Sequence, residues 1–542
     1  MAKGYRPVDR DQPFLLPPDM REWLPASHPV WLVIDAVRLL DTSAFHARRR
    51  TGGAGAAGYD PDMLVTLLVW AYANGVTSSR RIERLCGQDV AFRVICAGDA
   101  PDHVTLARFR QQFAGTGAPL FAEVLALCAR LGMGKVGTIA LDGTKIGANA
   151  SKDANRTEAG LRKLAAEMAA RHAEADAEDD ALLGEGRRGD DDPGDPFTRR
   201  DRVAAALAGL EAEREAREAA EREAAREHLE AARDGALPPQ GRPPAGAGAE
   251  TARAALERET AACLARIEDW ERRKAAGQRA GRRPVPPGQS AVVRRAEAKL
   301  EKAIAREAAR AEKDRQKQKD APPVRNVTDP DSRLMPVRGG GFLQGYNAQN
   351  VVTDDGLVSA TELTDDTTDT RWWQPMMEDA AAAAALMAAA GGPGTGKIGL
   401  ALADAGYLSD ANLTSPGPDR LIATGKRRDL EKAARAADGD GDEAAERDEA
   451  GEAAEAEEGA TATAAMAARL KTPDGIAAYR QRGRIAETPH GRIKHNMGIR
   501  RLAMRGMPKA SGEWTFTVAV HNLMLAVTSG HLTPQALAAL AR

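Results

Sequence analysis

Apolar residues recur along the chain at two spacings, and the changes between them divide it. Up to about residue 130 the period is helical, with Met63, Leu64, Leu67 and Leu68 on one face, and Phe121, Val124, Leu125 and Cys128 on another. This predicts an N-terminal helical domain over 1–130. Within it, SSRRIERLCGQD and then Asp102-His103-Val104-Thr105, opening the basic helix LARFRQQF, predict two short helices joined by a turn. The pattern suits helix-turn-helix DNA binding, with Arg108 and Arg110 as candidate contacts, and suits equally a scaffold with a basic outer face. Val136 to Leu141 is a short apolar run ending in Asp142-Gly143, read as a buried strand with Asp142 at its end. It is the first part, 131–152, of an α/β core.

From 153 to 328 the core is interrupted by long charged stretches in which Glu and Arg recur four apart, as in Glu213/Arg217 and Glu218/Arg222. Leu256, Thr260, Cys263, Ile267 and Trp270 keep a 4-3-4-3 spacing, and Val293, Leu300 and Ile304 mark a second seam. Breaks at GALPPQGRPP and GQRAGRRPVPPGQ divide the segment into several helices, which predicts a coiled-coil-like arm that folds back on itself. Strand character returns over 329–428. GYNAQNVVTDDGLVSATEL is two β-rich runs around Asp354-Asp355-Gly356, a hairpin pattern. A helix follows from about Arg371 to Ala390, then KIGLALADAGYLSDANL gives an apolar strand ending in Asp404, and DRLIATGK a further short strand. Residues 429–470 are an acidic low-complexity tract, and 471–542 are helical, with an apolar segment from Trp514 to Val527.

Composition sharpens this picture in two ways. Aromatic residues are 4% of the 542 and charged residues 28%, so much of the length is solvated helix and the packed part is smaller than the chain. The net charge of −2 and a pI near 6.6 would argue against a nucleic-acid partner if charge were spread evenly, but it is clustered. Cys86, Cys96, Cys128 and Cys263 are scattered, with no CxxC pair and no Cys/His spacing for zinc, and a reduced compartment fits them. The N-terminus has no apolar run with a cleavage site, and nowhere do about 18 apolar residues run uninterrupted. The expectation is a soluble, unexported protein of the cytoplasm.

Asp142 and Asp404, each at the end of a predicted strand, fall where an open α/β sheet places its active site. Carboxylate oxygens suit hard divalent cations, and two such ions serve phosphoryl transfer. The best third carboxylate is Glu487, the only acid between Ala477 and Lys509 in a stretch crowded with Arg, Lys and His. Its position alone leaves open an ordinary ion pair with a neighbouring arginine. Arg480, Arg482, Arg484, Arg492 and Lys494 around it are suited to DNA phosphates. Pro489 and Gly491 predict that the helix carrying Glu487 begins or kinks there.

The stretches LDGTKIGANASK, TDPDSRLM with GGGFLQGYNAQNVV, LADAGYLS and YRQRGRIAETPHGRIKHNMGIRRLAMRG resemble the blocks of bacterial insertion-sequence transposases of the DDE type. The resemblance implies a ribonuclease-H-like mixed-sheet core and a DNA strand cleavage and strand transfer activity at terminal inverted repeats. It implies that Asp142, Asp404 and Glu487 bind two Mg²⁺ or Mn²⁺ ions, and that double-stranded DNA, both the repeats and the target, is the partner of a homodimer. A Tyr-Arg-Glu-Lys signature is matched by Tyr479, Arg482, Glu487 and Lys494, whose basic members would hold transposon-end phosphates. Glu487 and Lys494 are seven apart, so one helix face can present both.

Other polar residues read more plainly. Asn347, Gln349 and Asn350 are expected to hydrogen-bond within the sheet, His521-Asn522 to pack or cap within the last helix, and the DDTTD run at 365–369 to be a solvated turn before a helix. Three rivals remain: an inactive or domesticated DNA-binding protein of the same fold, a structural protein built on the charged arm, and a related ribonuclease-H-like nuclease such as a junction resolvase.

Overall fold

The apolar run ending at Leu141 forms a strand, but a longer one than its hydrophobicity marks: β1 is Thr138–Gly147. The computed structural model describes residues 19–47, 58–183, 199–233, 244, 246–337, 339–425 and 462–541. The chain divides into two compact units, Met1–Asp153 together with Asp331–Arg542, and Ala154–Pro330. After β1 come β2 (Asn155–Thr157), β3 (Val324–Asn326), β4 (Arg333–Pro336), β5 (Phe342–Thr353), β6 (Val358–Thr364), β7 (Leu400–Ala403) and β8 (Asp419–Ile422).

The larger unit is a mixed α/β fold around one sheet. β5 runs antiparallel to β1 along its length, from Ile139↔Thr353 to Gly147↔Gly345, and β4 and β6 both pair antiparallel with β5. On its other edge β1 is parallel to β7, which is parallel to β8. The β7 pairing lasts only from Thr138↔Leu400 to Leu141↔Ala403. Asp142 is therefore mid-strand, not terminal as expected, because the backbone goes on pairing with β5 after β7 has stopped. Ile139, Ala140 and Leu141, with Ala401, Leu402 and Ala403, are fully buried, which explains why these strands are apolar on both faces. The hairpin expected at Asp354-Asp355-Gly356 joins β5 to β6, with Gly356 at φ +84 supplying the left-handed turn position.

Among the described residues seven α-helices precede the sheet: Pro29–Val37, Ser43–His46, Pro61–Ala73, Ser79–Gln88, Val90–Ile95, His103–Arg110 and Phe113–Arg130. Asp60, Asp89 and Asp102 cap three of them by accepting from first-turn amides. Between the two helices read from the sequence lies a third, Val90–Ile95, which brings the Cys86 and Cys96 sulfurs, ten residues apart, to 3.6 Å. These helices share one apolar core with the sheet and with the long helix Met507–Thr528. Phe113 stacks on Phe516 at 4.2 Å between ring centroids, and Tyr72 meets the same ring edge-on. The crossing is closed by two glycines: a Cβ on Gly512 would lie 2.4 Å from the Phe113 carbonyl carbon, and one on Gly117 would lie 3.0 Å from the Gly512 oxygen. Among the described residues Phe113–Arg130 is long and apolar enough to cross a membrane, and its apolar side is packed on Met507–Thr528.

One buried charge cluster ties the first helices to the last. Glu513, 1% exposed, accepts from the Arg110 guanidinium at 2.8 Å, the Tyr72 hydroxyl at 2.7 Å and the backbone amides of Ala503 and Met504 at 2.8 Å. Arg110 also donates to the Thr77 carbonyl at 2.6 Å. In the same helix Asn522 clamps the Val358 backbone, accepting from its N–H and donating to its C=O.

The second unit begins and ends with the two-stranded ribbon β2–β3. Its helices are Glu158–Leu183, Arg199–Arg233, Ala247–Ala275 and Ala291–Asp320. Leu161, Val203, Ala206 and Leu210 form its small core. The last two helices run back along each other, with Glu307 accepting from the Ala249 amide at 3.0 Å, and Cys263 and Val293 buried between them. Ile304 of the expected seam is exposed. Glu218 pairs with Arg222 as the spacing predicts, whereas Glu213 pairs with Arg325. Of the acidic tract, residues 426–461 lie outside the described residues; Ala462–Leu470 is a helix that buries Met466 and Leu470.

Candidate active site

Because Leu141 is paired with Ala403 and the parallel ladder ends there, the next residues on the two strands, Asp142 and Asp404, emerge side by side. Asp404 leaves β7 into a short turn whose first amide, Gly406 N–H, donates to its carboxylate at 2.9 Å. The strand-edge position that the apolar runs predict is thus real for Asp404. For Asp142 the same position arises from loss of one neighbouring strand.

The helix Pro473–Gly491 lies across this edge. It does not begin at Pro489; it runs through that proline and, after Gly491, widens into a π-helical turn over Arg492–Asn496. The Tyr479 hydroxyl donates to the Ala403 carbonyl at 3.2 Å, fixing the helix to the end of β7. Arg482, 8% exposed, spans the two carboxylates, with one guanidinium nitrogen 3.1 Å from Asp142 Oδ1 and 3.5 Å from Asp404 Oδ2. Within the π turn, Lys494 donates to the Thr144 hydroxyl at 2.5 Å and to the Lys145 carbonyl at 2.7 Å. Burial holds its ammonium below the ordinary lysine range, an effect that Asp142 opposes.

His490, beside Asp142, has its proton placed by its neighbours. The Trp514 indole N–H can only donate, and it donates to Thr361 Oγ1 at 2.8 Å. The Thr361 hydroxyl therefore gives its own proton to Asn350 Oδ1, 2.6 Å away. That leaves the Asn350 amide nitrogen as donor to His490 Nε2 at 2.9 Å, and the imidazole proton on Nδ1, which faces Asp142 Oδ2 at 3.8 Å. Burial, reinforced by the charges of Lys494, His521 and Arg482, pushes His490 down to about 3, so the ring is neutral at pH 7.

Side chains alternate along β1, so Gly143 and Lys145 turn to the opposite face from Asp142 and Thr144. There Asp369 accepts from Asn347 at 2.6 Å and from Gln349 at 2.7 Å, and Lys145 lies 3.8 Å from it. The Tyr407 hydroxyl donates to Gln349, and burial together with Asp369, Asp142 and Asp404 raises it well above the ordinary tyrosine range. Two glycines keep this region open. A Cβ on Gly143 would sit 2.6 Å from Asp369 Oδ1, and one on Gly406 would sit 2.9 Å from Asp404 Oδ1 and 3.3 Å from Asp369 Oδ2. Asn347 Oδ1 is buried with no hydrogen-bond partner, an acceptor left open among carboxylates.

The structure thus gathers Asp142, Asp404, Tyr479, Arg482 and Lys494. Glu487 is exposed and about 140° around the helix from Arg482, and the π turn that carries Lys494 breaks the two-turn register expected of them. Arg484 pairs with Asp354 of the β5–β6 hairpin, Arg492 is half-buried and Arg108 is exposed. Arg110 is corrected: it is 5% exposed and spent on Glu513, so it offers nothing to DNA. The solvated-turn reading of residues 365–369 also fails for Asp369, and Asn347, Gln349 and Asn350 serve Asp369 and His490. The signal for these was available: three amides in seven residues of an otherwise apolar run, all fully buried, require polar partners.

Residues 18–112 match a family model described as transposase domain (DUF772), and residues 446–525 match one described as transposase DDE domain. The second covers Tyr479, Arg482, Glu487 and Lys494; Asp142 and Asp404 lie outside both. Among curated proteins and among solved structures, none matches the chain. Two transposase segments in one chain, at the N-terminal helices and at the helices crossing the sheet edge, support an insertion-sequence transposase of the DDE type. That family generally uses a divalent metal and acts on DNA.

Proposed function

We propose that the protein cuts DNA at insertion-sequence ends and transfers the freed 3′-OH to target DNA, with Asp142, Asp404 and Glu487 as metal-binding carboxylates of a ribonuclease-H-like core. The observation that carries this is the emergence of Asp142 and Asp404 from adjacent parallel strands at the point where their pairing ends, bridged by Arg482. A central β1, antiparallel to β5 and parallel to β7, supports the core assignment.

The residues present fit a divalent cation. Carboxylate oxygens are hard donors, Gly406 keeps a side-chain carbon out of the space between Asp404 and Asp369, and Gly143 does the same beside Asp369 and Asn347, whose Oδ1 is an open acceptor on that face. Asp142 and Asp404 would hold the metal, Mg²⁺ or Mn²⁺, and Glu487, reaching from the exposed flank of its helix, would complete a second position. Bound there, two such ions activate a water and stabilise the leaving oxygen of an in-line displacement. Arg482 and Lys494 position the phosphodiester and offset charge that develops on it. Arg482 is the residue that must yield, since its guanidinium occupies the carboxylate oxygens a cation would take. The neutral His490 orients Asp142 without competing as a base. The working unit is a homodimer on double-stranded DNA, in the bacterial cytoplasm at the nucleoid.

The test is cleavage of a terminal-repeat duplex with Mg²⁺ by Asp142→Ala, Asp404→Ala and Glu487→Ala proteins. All three are expected to lose cleavage by at least about 10³-fold while keeping their fold. Normal cleavage by Asp404→Ala sinks the proposal, and normal cleavage by Glu487→Ala alone removes the third ligand.

A further inference from the structure

The carboxylate site leaves unexplained a second concentration of cations farther along β1. The Gly147 amide donates to the Arg500 carbonyl at 3.0 Å, and the Leu502 amide donates to the Gly147 carbonyl at 2.8 Å. Arg500 to Leu502 thereby extend the sheet by a short parallel bridge, Gly147↔Arg501. Gly147 permits the approach, since a Cβ there would lie 3.1 Å from the Arg500 oxygen. On this ledge opens a groove of about 680 Å³ whose walls come from four stretches: Thr77 to Arg80, the helix carrying His103, Ala107 and Arg110, Asn149 after β1, and Gly498 to Ala503.

Among the described residues no Asp or Glu lines the groove. Arg80 and Arg501 are exposed and have no carboxylate partner among the described residues, and Arg500 is steadied beside them by the Lys494 carbonyl and His495. The helical arm shows what this chain does with arginines that face only water: Glu158–Arg162 and Glu218–Arg222 pair them one turn apart. Arg80 and Arg501 are instead gathered with the hydroxyls of Thr77, Ser78 and Ser79 and left without acids, while Arg110 in the same wall is held by Glu513. Guanidinium forks and hydroxyls converging in an open groove match phosphate oxygens.

We propose that this groove binds the phosphodiester backbone of duplex DNA, so that the N-terminal helices and the catalytic sheet grip one DNA molecule. Gly147 is five residues beyond Asp142, about 16 Å along the strand, less than one turn of duplex DNA at about 34 Å. A duplex with its scissile phosphate at Asp142 and Asp404 therefore has backbone phosphates in the groove within one helical turn of the cut. Only this register rests on the proposed cleavage site; the anion chemistry of the groove does not.

The test is equilibrium binding of a fluorescent duplex to the full chain in EDTA, so that no cleavage intervenes, over a series of salt concentrations. Arg80→Gln/Arg501→Gln protein is expected to reduce the slope of log affinity against log salt by about 1.8, near 0.9 for each lost contact. An unchanged slope in the double variant, with native circular dichroism, overturns the groove and leaves the cleavage proposal standing. Loss of the slope together with cleavage by Asp404→Ala protein does the reverse. Uncharged methylphosphonates within one helical turn of the cut are expected to weaken wild-type binding and not that of the double variant; an effect confined to positions farther away overturns the register.

Discussion

The Asn350 amide nitrogen lies 2.9 Å from His490 Nε2, and that contact decides which ring nitrogen faces Asp142. With the proton on Nδ1, His490 turns its N–H toward the carboxylate 3.8 Å away, at the end of a string of groups that begins at Trp514. Nitrogen-15 NMR of the metal-free protein is expected to report the Nδ1–H tautomer. His490→Phe should weaken Mn²⁺ binding by about 10-fold or more, in the range typical of partners that orient metal ligands, and His490→Gln should restore part of it. Equal Mn²⁺ affinity in wild type and His490→Phe rules the orienting role out.

Gly143 and Gly406 are needed for space rather than for backbone freedom. Gly143→Ala places a methyl 2.6 Å from Asp369 Oδ1 and 2.8 Å from Gln349 Nε2. The expected cost is about 1–3 kcal/mol of stability, with divalent-ion binding weakened at least as strongly as in His490→Phe. Calorimetric Mn²⁺ titration beside a urea melt separates the two effects; full ion affinity in a folded Gly143→Ala protein is the contrary result.

The crossing of Phe113–Arg130 with Met507–Thr528 makes a sharper stability test. Gly512→Ala would set a methyl 2.4 Å from backbone atoms of Phe113, and backbone cannot swing aside. It should destabilise by about 1–3 kcal/mol. Gly483, in a helix with open space around it, should gain about 0.5–1 kcal/mol when replaced by Ala. Equal melting temperatures for the two variants would contradict the packing described.

His521 is buried and pushed down to about 4, chiefly by burial and then by Arg492. Its ordinary value is 6.5, so between the two the unfolded chain holds a proton that the folded chain refuses, and stability falls as pH drops through that window. His521→Gln removes the effect. Between pH 7 and 5 its stability loss should be smaller than the wild type's by about 2 kcal/mol, at about 1.4 kcal/mol per pH unit. Parallel urea-midpoint curves for the two proteins would refute this.

Much of the sheet was legible because β1 and β7 are buried on both faces and show it as apolar runs, and because Asp354-Asp355-Gly356 is strong turn chemistry. Asp404 was legible for the same reason. The true extent of β1 was not, since Gly143, Thr144 and Lys145 carry no strand pattern and are held extended by β5 alone. Arg110 looked like a surface arginine because its partner, Glu513, is 403 residues away. Asp369 was hidden in a run of acids that composition cannot tell apart; only the sheet pairing that puts Asn347 and Gln349 beside it marks it out. The Arg482 bridge needed both the helix phase and the strand register, neither of which one-dimensional spacing supplies.

The charged arm enters and leaves as the two strands of a single ribbon, with Asn155 opposite Asn326 and the Val327 amide bonded to the Ala154 carbonyl at 3.0 Å. Its 177 residues, from Ala154 to Pro330, thus close on themselves before the sheet resumes. An evolving gene can lengthen, shorten or discard such a cassette in one event without rethreading a strand, and a tight turn in its place would cost little loop-closure entropy. Related elements are expected to differ most in arm length and least in the spacing from Asp404 back to β5.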